Sequence, residues 1–182
     1  MHNMTLVTPP TALPVDVKTV KDNLRIGFPD DDYLIDQLLK AAIGRFDGWS
    51  GILGRALMPQ SWTLTLDAFP TGCIAIPLGP VVSVTSIKYW DTTPTQIVMP
   101  SSAYKVDVSR FEAVIDPVDG WPDTDDRLGA VTIEWVAGNG CPEPIKAAIM
   151  ILAAHLYENP SGGDVLPPAV TALIAPYRRA II

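Results

Sequence analysis

The sequence predicts an α+β protein in which an antiparallel β block is inserted between the second and third helices of a helical bundle. The hydrophobic periodicity changes from about 3.6 residues to two residues at Gln60, and it returns to the helical value after Gly140. Between these points, short runs rich in β-branched residues are separated by turn residues, which is typical of antiparallel hairpins. The chain has 182 residues, of which 48% are hydrophobic and 18% charged, so it can bury a substantial core.

Two helices are predicted before the β block, over residues 15–25 and 31–50. The carboxylates of Asp30–Asp32 are placed to accept free backbone N–H groups and to meet the positive end of the second helix dipole. Gly44 and Gly48 weaken this helix by about 1 kcal/mol each relative to alanine, which favours an earlier end than its apolar pattern indicates. That pattern consists of Leu34, Ile35, Leu38, Leu39, Ala42, Ile43, Phe46 and Trp49.

The β block is predicted over residues 60–137. Its first strand alternates Trp62, Leu64 and Leu66 with polar residues, the pattern of a half-buried strand. Trp62 and Trp135 occupy alternating strand positions, so we expect both side chains in the core. Further strands are predicted at 74–76, 82–90, 96–99, 104–108, 113–115 and 131–136.

Two helices are predicted after the β block, over residues 144–157 and 168–177. The first of them is apolar on nearly every face, so it belongs in a fold core or in an oligomer interface. Residues 178–182 form a basic, then apolar, tail. Residues 1–14 are polar and contain several prolines, and we expect them to form an extended N-terminal arm.

The net charge of −7 has the opposite sign to that of proteins that bind the phosphates of nucleic acids. The longest basic run is Arg178-Arg179, so we expect no specific DNA binding. The N-terminus lacks a secretion signal, and the longest uncharged apolar segment, residues 147–154, is too short to span a bilayer. These features indicate a soluble protein made in the cytoplasm, with no membrane partner.

No set of residues supports catalysis, so we expect no enzymatic activity, no metal and no cofactor. The two histidines are His2, near the N-terminus, and His155, on the apolar helix, where a packed or interface histidine is favoured over a general base. Cys73 and Cys141 lie far apart and form no C-x-x-C motif. Two reduced, buried thiols are favoured, and a single disulfide remains open as the alternative.

An acidic loop precedes the last strand, with five aspartates between residues 116 and 126. It has no glycine or terminal glutamate at the EF-hand positions, and Pro117 and Pro122 interrupt it, so a solvated loop is favoured over a divalent-ion site. Trp121 lies in this loop between Gly120 and Pro122, and it is the best candidate for an exposed contact.

The chain contains a series of short segments in a characteristic order. They are Asp31-Asp32-Tyr33-Leu34-Ile35, Gly54-Arg55-Ala56-Leu57, Gln60-Ser61-Trp62, Thr63-Leu64-Thr65-Leu66-Asp67, Phe69-Pro70, Ile76-Pro77, Val82-Ser83-Val84-Thr85-Ser86-Ile87, Tyr104-Lys105-Val106-Asp107, Val136-Ala137-Gly138, Pro144-Ile145-Lys146-Ala147-Ala148-Ile149, His155-Leu156-Tyr157-Glu158-Asn159 and Leu173-Ile174-Ala175-Pro176-Tyr177-Arg178. Each segment alone is a weak signal, because none is catalytic. Their order and spacing resemble the phage head–tail connector family (head-completion or neck adaptor proteins), in the branch shared with prophages and gene transfer agents. The likeness extends from about residue 15 to residue 179.

This resemblance implies a single connector domain over residues 15–182, with helices in 15–58 and 141–177, the inserted β block at 60–137 and the tail at 178–182. It implies a structural virion protein, made in the bacterial host cytoplasm, that forms a ring at the head–tail interface. Such rings, usually dodecamers, lie under the portal, extend the DNA channel and join the capsid to the neck or tail. The implied partners are the portal protein, a neck/stopper or tail-completion protein, and further copies of the chain.

The resemblance also implies that the tail docks on the portal, through Tyr177, Arg178, Arg179, Ile181 and Ile182. Burial of an isoleucine stabilises a protein by about 1.5–3 kcal/mol, so the terminal isoleucines are expected to pack against some surface. Folding of the tail onto the protein's own bundle is therefore the alternative. A second function also remains open, namely a tail-associated carbohydrate- or protein-binding module built on the β block. A carbohydrate-binding module predicts several exposed aromatic side chains on one sheet face, whereas a connector predicts exposed edges and helices that self-associate.

Overall fold

The computed structural model describes residues 3–93, 95–160 and 165–179. His2, Ile181 and Ile182 lie outside the described residues. The chain divides into two compact units. The helical unit comprises Ala12–Met58 and Gly140–Ile182, and the β unit comprises Met1–Thr11 and Pro59–Asn139. The predicted α+β class is confirmed, because the β block lies between the second and third helices and its strands pair antiparallel.

The helical unit contains four α-helices: α1 (Val17–Leu24), α2 (Asp32–Phe46), α3 (Glu143–Glu158) and α4 (Pro168–Ile174), the last followed by a 3₁₀ turn at Ala175–Tyr177. Helix α1 begins at an effective cap, because the Asp16 side chain accepts a 2.7 Å hydrogen bond from the Thr19 N–H. It ends at Arg25, which adopts a left-handed conformation with φ of 58°.

Helix α2 ends at Phe46, so the prediction of a helix through residue 50 was wrong at its C-terminal end. Asp47 is extended and Gly48 has a φ of 78°, a value that few residues other than glycine adopt. The chain then turns back, and the Gly48 N–H donates to the Arg55 carbonyl at 2.8 Å. The Asp47 carboxylate stabilises this loop by accepting a 2.7 Å hydrogen bond from the Leu57 N–H.

The core of the helical unit joins the apolar faces of all four helices. Helix α3 is central to it, because no side chain between Pro144 and Tyr157 is fully exposed. Ile145, Ile149 and their neighbours on one side are buried, and the remaining apolar side chains of α3 are half-buried. The buried members of this core are Val15, Val20, Ile35, Leu39, Ala42, Ile43, Phe46, Leu53, Leu57, Cys141, Ile145, Ala148, Ile149, Leu152, Ala153, Val170 and Ile174.

The β unit contains two antiparallel sheets. The strands are β1 (Asn3–Thr8), β2 (Gln60–Leu66), β3 (Ile74–Ala75), β4 (Val81–Trp90), β5 (Gln96–Val98), β6 (Tyr104–Asp107), β7 (Val114–Pro117) and β8 (Val131–Ala137). The larger sheet has the order β1-β2-β8-β4-β5, and the smaller one has the order β3-β7-β6. Residues 3–8 of the predicted arm thus form an edge strand, paired with β2.

The register of β2 and β8 places their apolar side chains on the same face. Trp62 lies opposite Trp135, and both strands alternate between buried and half-buried residues along most of their length. Each indole N–H is satisfied: that of Trp135 donates to the Leu78 carbonyl and that of Trp62 to the Gln60 side chain, both at 3.1 Å. The prediction that these two tryptophans belong to the core is confirmed.

Candidate functional site

The first candidate surface is the last described part of the helical unit, where the predicted docking tail begins. Helix α4 is anchored by Val170 and Ile174, which are buried. The following turn brings the half-buried Tyr177 ring under the Arg55 guanidinium, whose Cζ lies 5.9 Å from the ring centroid. Arg178 and Arg179 are exposed side chains, and the Arg179 N–H donates to the Leu53 carbonyl at 3.3 Å.

Arg55 and Cys141 lie near each other where this tail begins, in partly buried surroundings. Burial lowers the pKa of the Arg55 guanidinium, and the charge of Arg179 lowers it further. Burial raises the pKa of the Cys141 thiol to about 11, so this thiol is protonated at neutral pH and is a poor nucleophile. Both cysteines are free, but Cys73 is exposed, and the expectation of two buried thiols was wrong for Cys73.

The second candidate surface is a cleft in the β unit that contains Trp121. We name it the aromatic cleft; its lining residues are Ala68, Phe69, Pro70, Thr71, Thr92, Pro117, Gly120, Trp121, Pro122, Asp123 and Thr124, and its volume is about 610 Å³. The Trp121 ring lies parallel to Phe69, with the centroids 4.6 Å apart, and its N–H donates to the Gly72 carbonyl at 2.7 Å. Trp121 is therefore half-buried and fixed in orientation.

The acidic loop beside this cleft is ordered by its own side chains. Asp125 accepts hydrogen bonds from the Arg127 backbone N–H at 3.0 Å and from its guanidinium at 3.1 Å. The Arg127 guanidinium also stacks on Trp90, with its Cζ 4.1 Å from the ring centroid. Within the described ranges, no group of three or more His, Cys, Asp or Glu residues could hold a metal ion.

His155, the other histidine considered from the sequence, is half-buried on α3. The Asn159 side-chain amide lies 3.2 Å from its Nδ1 and donates to its backbone carbonyl at 3.0 Å. Two residues further along, the Tyr157 hydroxyl donates a 2.6 Å hydrogen bond to Asp31 at the start of α2. This contact is not predictable from the sequence pattern, because hydrophobic periodicity does not report which helix ends meet.

No helix in the described part of the chain is both long and apolar enough to cross a membrane. Several lysines of the helical unit are paired with carboxylates on the same surface: Lys18 with Asp22 at 2.9 Å, Lys40 with Asp36 at 2.7 Å and Lys146 with Glu143 at 2.6 Å. These pairs reduce the positive charge that the unit presents to solvent.

Comparison with known proteins gives structural but not sequence matches. No protein-family model matches the chain, and no curated protein sequence matches it. Among solved structures, the chain is similar to one from the neck of an empty gene transfer agent particle computed with six-fold symmetry, with a TM-score of 0.79 and 24% identity over 98% of this chain and 96% of that one.

Two further structures are similar over nearly the same length. A chain from the virion of a native gene transfer agent particle matches with a TM-score of 0.78 and 24% identity, over 97% of this chain and 95% of that one. A chain from the neck of a native particle computed with twelve-fold symmetry matches with a TM-score of 0.74 and 26% identity, over 99% and 96% of the two chains. These neighbours confirm the resemblance to head–tail connector proteins that the sequence segments indicate.

Proposed function

We propose that this protein is a structural component of the neck of a phage-like particle. In this role it is a head–tail adaptor that forms a ring under the portal, extends the DNA channel and joins the capsid to a neck/stopper or tail-completion protein. The observation that carries the proposal is the structural match to neck chains of gene transfer agent particles, which covers 98% of this chain and 96% of its neighbour with a TM-score of 0.79.

A ring of identical subunits needs two different complementary surfaces on each copy, because head-to-tail contacts close into rings. The helical unit exposes apolar side chains near the start of α2, where Phe28 and Leu34 are each 48% and Tyr33 is 78% exposed. The larger sheet has β1 and β5 as its edge strands, with Val7 and Val98 exposed on them. One neighbouring neck was computed with twelve-fold symmetry and another with six-fold symmetry, and both are compatible with a ring of twelve copies.

The charge of the chain suits a channel that DNA traverses without binding. The sequence carries 20 acidic and 13 basic side chains, so an assembled ring has a large surplus of carboxylates. Phosphates are repelled by such a surface, and binding by counterion release requires clustered lysines and arginines. The protein needs no enzymatic activity for this role.

We also propose that the tail binds the portal. Arg178 and Arg179 are exposed and directly follow Tyr177, and their positive charge complements acidic groups of a partner. Ile181 and Ile182 lie outside the described residues, and their assignment to an apolar groove of the portal is part of this proposal.

The alternative function, a tail-associated carbohydrate- or protein-binding module, is less well supported. Its carbohydrate form predicts several exposed aromatic rings on one sheet face. Every aromatic side chain of the β unit is instead buried or half-buried. The half-buried Trp121 is the one aromatic residue that the sequence had suggested as an exposed contact.

Deleting the coding sequence tests the proposed function in the element that produces the particles. We expect heads and tails to accumulate as separate objects in electron micrographs, and complementation with the intact chain should restore joined particles. Normally joined particles that have lost only attachment to host cells would contradict the neck role and support the tail-associated module.

A further inference from the structure

The aromatic cleft presents one rigid indole surface to any ligand that enters it. Phe69 covers one face of Trp121, and the Tyr89 ring packs edge-on against Phe69 with the centroids 5.6 Å apart. The Trp121 N–H is already bonded to the Gly72 carbonyl. The surface of Trp121 left for a ligand is therefore its opposite face, held in place before binding, which lowers the ordering cost of recognition.

The remaining lining combines apolar rings with one carboxylate. Pro70, Pro117 and Pro122 supply rigid apolar walls, and Asp123 supplies an exposed charge. Five aspartates lie between residues 116 and 126, and that stretch contains no lysine or arginine; the adjacent Arg127 offsets the charge of Asp125 alone. The electrostatic potential of the cleft therefore favours a cation, and the walls favour a cation on an apolar stem.

The same loop already shows how such a cation is held. Arg127 stacks on Trp90 with its Cζ 4.1 Å from the ring centroid, and its Nε donates to Asp125 at 3.1 Å. Trp121 and Asp123 both line the cleft, so the cleft also presents an indole and a carboxylate. Arginine suits the arrangement better than lysine, because its planar guanidinium stacks on a ring while its edge bonds a carboxylate.

We propose that the aromatic cleft binds an extended, arginine-bearing peptide segment of a partner protein, with one guanidinium stacked on Trp121 and bonded to Asp123. A volume of about 610 Å³ accommodates a few residues of extended chain. Aromatic-lined grooves are typical binding sites for extended, proline-rich peptides. A neutral sugar would also stack on Trp121, but it would gain little from the surrounding carboxylates.

The binding follows from the geometry and charge of the β unit, so it does not depend on the neck role. Failure of particle joining in the deletion experiment and failure of peptide binding are separate results.

The test is a calorimetric titration of the full chain with the synthetic peptide Gly-Arg-Pro-Arg-Pro-Arg-Gly and with a control in which glutamine replaces every arginine. We expect the arginine peptide to bind at least about tenfold more tightly. Asp123→Lys should weaken its binding at least about tenfold, whereas Asp126→Lys, an equal charge change at an exposed residue outside the lining, should weaken it less than about threefold, because the field of an exposed charge is screened within about 8 Å at physiological salt.

Three results would overturn the proposal. They are equal affinity for the two peptides, equal losses in Asp123→Lys and Asp126→Lys, and binding of maltohexaose, a neutral oligosaccharide, in place of the arginine peptide. Trp121→Ala adds a second check: it should abolish binding of the arginine peptide in a protein whose amide NMR spectrum outside the cleft is unchanged. If that spectrum collapses, Trp121→Phe replaces Trp121→Ala. An Asp123→Lys variant that binds the arginine peptide as tightly as the unaltered chain does would still contradict the proposal.

Discussion

The Tyr157 hydroxyl donates a 2.6 Å hydrogen bond to the Asp31 carboxylate across 126 residues of sequence. It joins the C-terminal end of α3 to the N-terminal end of α2, the two longest helices of the bundle. Asp31 is the residue that precedes α2, yet its side chain makes no capping hydrogen bond to that helix. Its carboxylate therefore contributes to tertiary packing, and the expectation that it would accept backbone N–H groups was wrong for this residue.

Replacing Tyr157 by phenylalanine should lower the thermal unfolding midpoint, because the Asp31 carboxylate loses its donor. The hydrogen bond to Asp31 raises the pKa of the Tyr157 phenol, and burial adds to the increase. A raised folded pKa means that the stabilisation is complete below the unfolded pKa and is lost as the pH rises through the folded one. The difference in midpoint between the two proteins, measured by circular dichroism, should therefore narrow at strongly alkaline pH.

Tyr33→Phe is the matched control, since Tyr33 is 78% exposed on α2. It should leave the midpoint unchanged. Equal midpoints for Tyr157→Phe and the unaltered chain at neutral pH would show that the contact contributes nothing.

Alanine substitution at two nearby glycines should change the stability of the protein in opposite directions. Gly51 lies where the chain turns back after α2, and an added Cβ would overlap the backbone of Phe46 and Asp47. Gly51→Ala should therefore destabilise the protein by about 1–3 kcal/mol, as overpacking does. Gly44 lies inside α2, and outside the local helix backbone no heavy atom lies within 4 Å of the position of a Cβ, so Gly44→Ala should stabilise by about 0.5–1 kcal/mol.

Urea denaturation of both variants measures these changes directly. Destabilisation by Gly44→Ala together with a neutral Gly51→Ala would mean that the helix boundary at Phe46 is misplaced.

The sequence predicted regular elements well and the contacts between distant segments poorly. Strands β2 and β8 alternate apolar and polar residues, so the facing pair Trp62 and Trp135 was placed in the core. Strand β1 was expected only as an extended arm because it buries almost no side chain; it is held instead by backbone pairing with β2. The stack of Phe69 on Trp121 depends on how two loops meet, and no local pattern reports that.

The buried Cys141 thiol should make stability depend on pH in the alkaline range. Its folded pKa is raised by burial to about 11 from an ordinary value of 9.0, so the folded protein holds this proton more tightly than the unfolded chain. The stabilisation is complete below pH 9.0 and is lost as the pH rises through about 11. We expect Cys141→Ala to remove about 1–3 kcal/mol of this pH dependence, as measured by urea denaturation between these pH values.

Cys73→Ala is the control, because Cys73 is exposed, and it should leave the pH dependence intact. Thiol titration with a chromogenic disulfide should label Cys73 rapidly and Cys141 only after unfolding. Equally rapid labelling of both cysteines would contradict the burial of Cys141.

Duplex DNA should not bind the protein at physiological salt. The net charge is −7, and lysines such as Lys18, Lys40 and Lys146 are paired with carboxylates. Fluorescence anisotropy of a labelled duplex should stay flat at protein concentrations up to about 100 μM, the weak end of the typical range for non-specific complexes. A micromolar complex that weakens steeply with added salt would contradict the passive-channel proposal.

Deleting residues 178–182 should separate the docking role of the tail from any role in folding. Tyr177 remains in the shortened chain and keeps its contact with Arg55, whereas the removed Arg178 and Arg179 side chains are exposed. The Arg179 N–H also bonds the Leu53 carbonyl at 3.3 Å, a long hydrogen bond whose loss should cost little. We therefore expect a nearly unchanged unfolding midpoint together with loss of attachment to purified heads.

A second variant, Arg178→Glu with Arg179→Glu, keeps the tail at full length and should also lose attachment, because repulsion replaces pairing with acidic groups of the portal. If the deletion instead costs several kcal/mol of stability, the tail belongs to the core of the helical unit and the docking proposal fails.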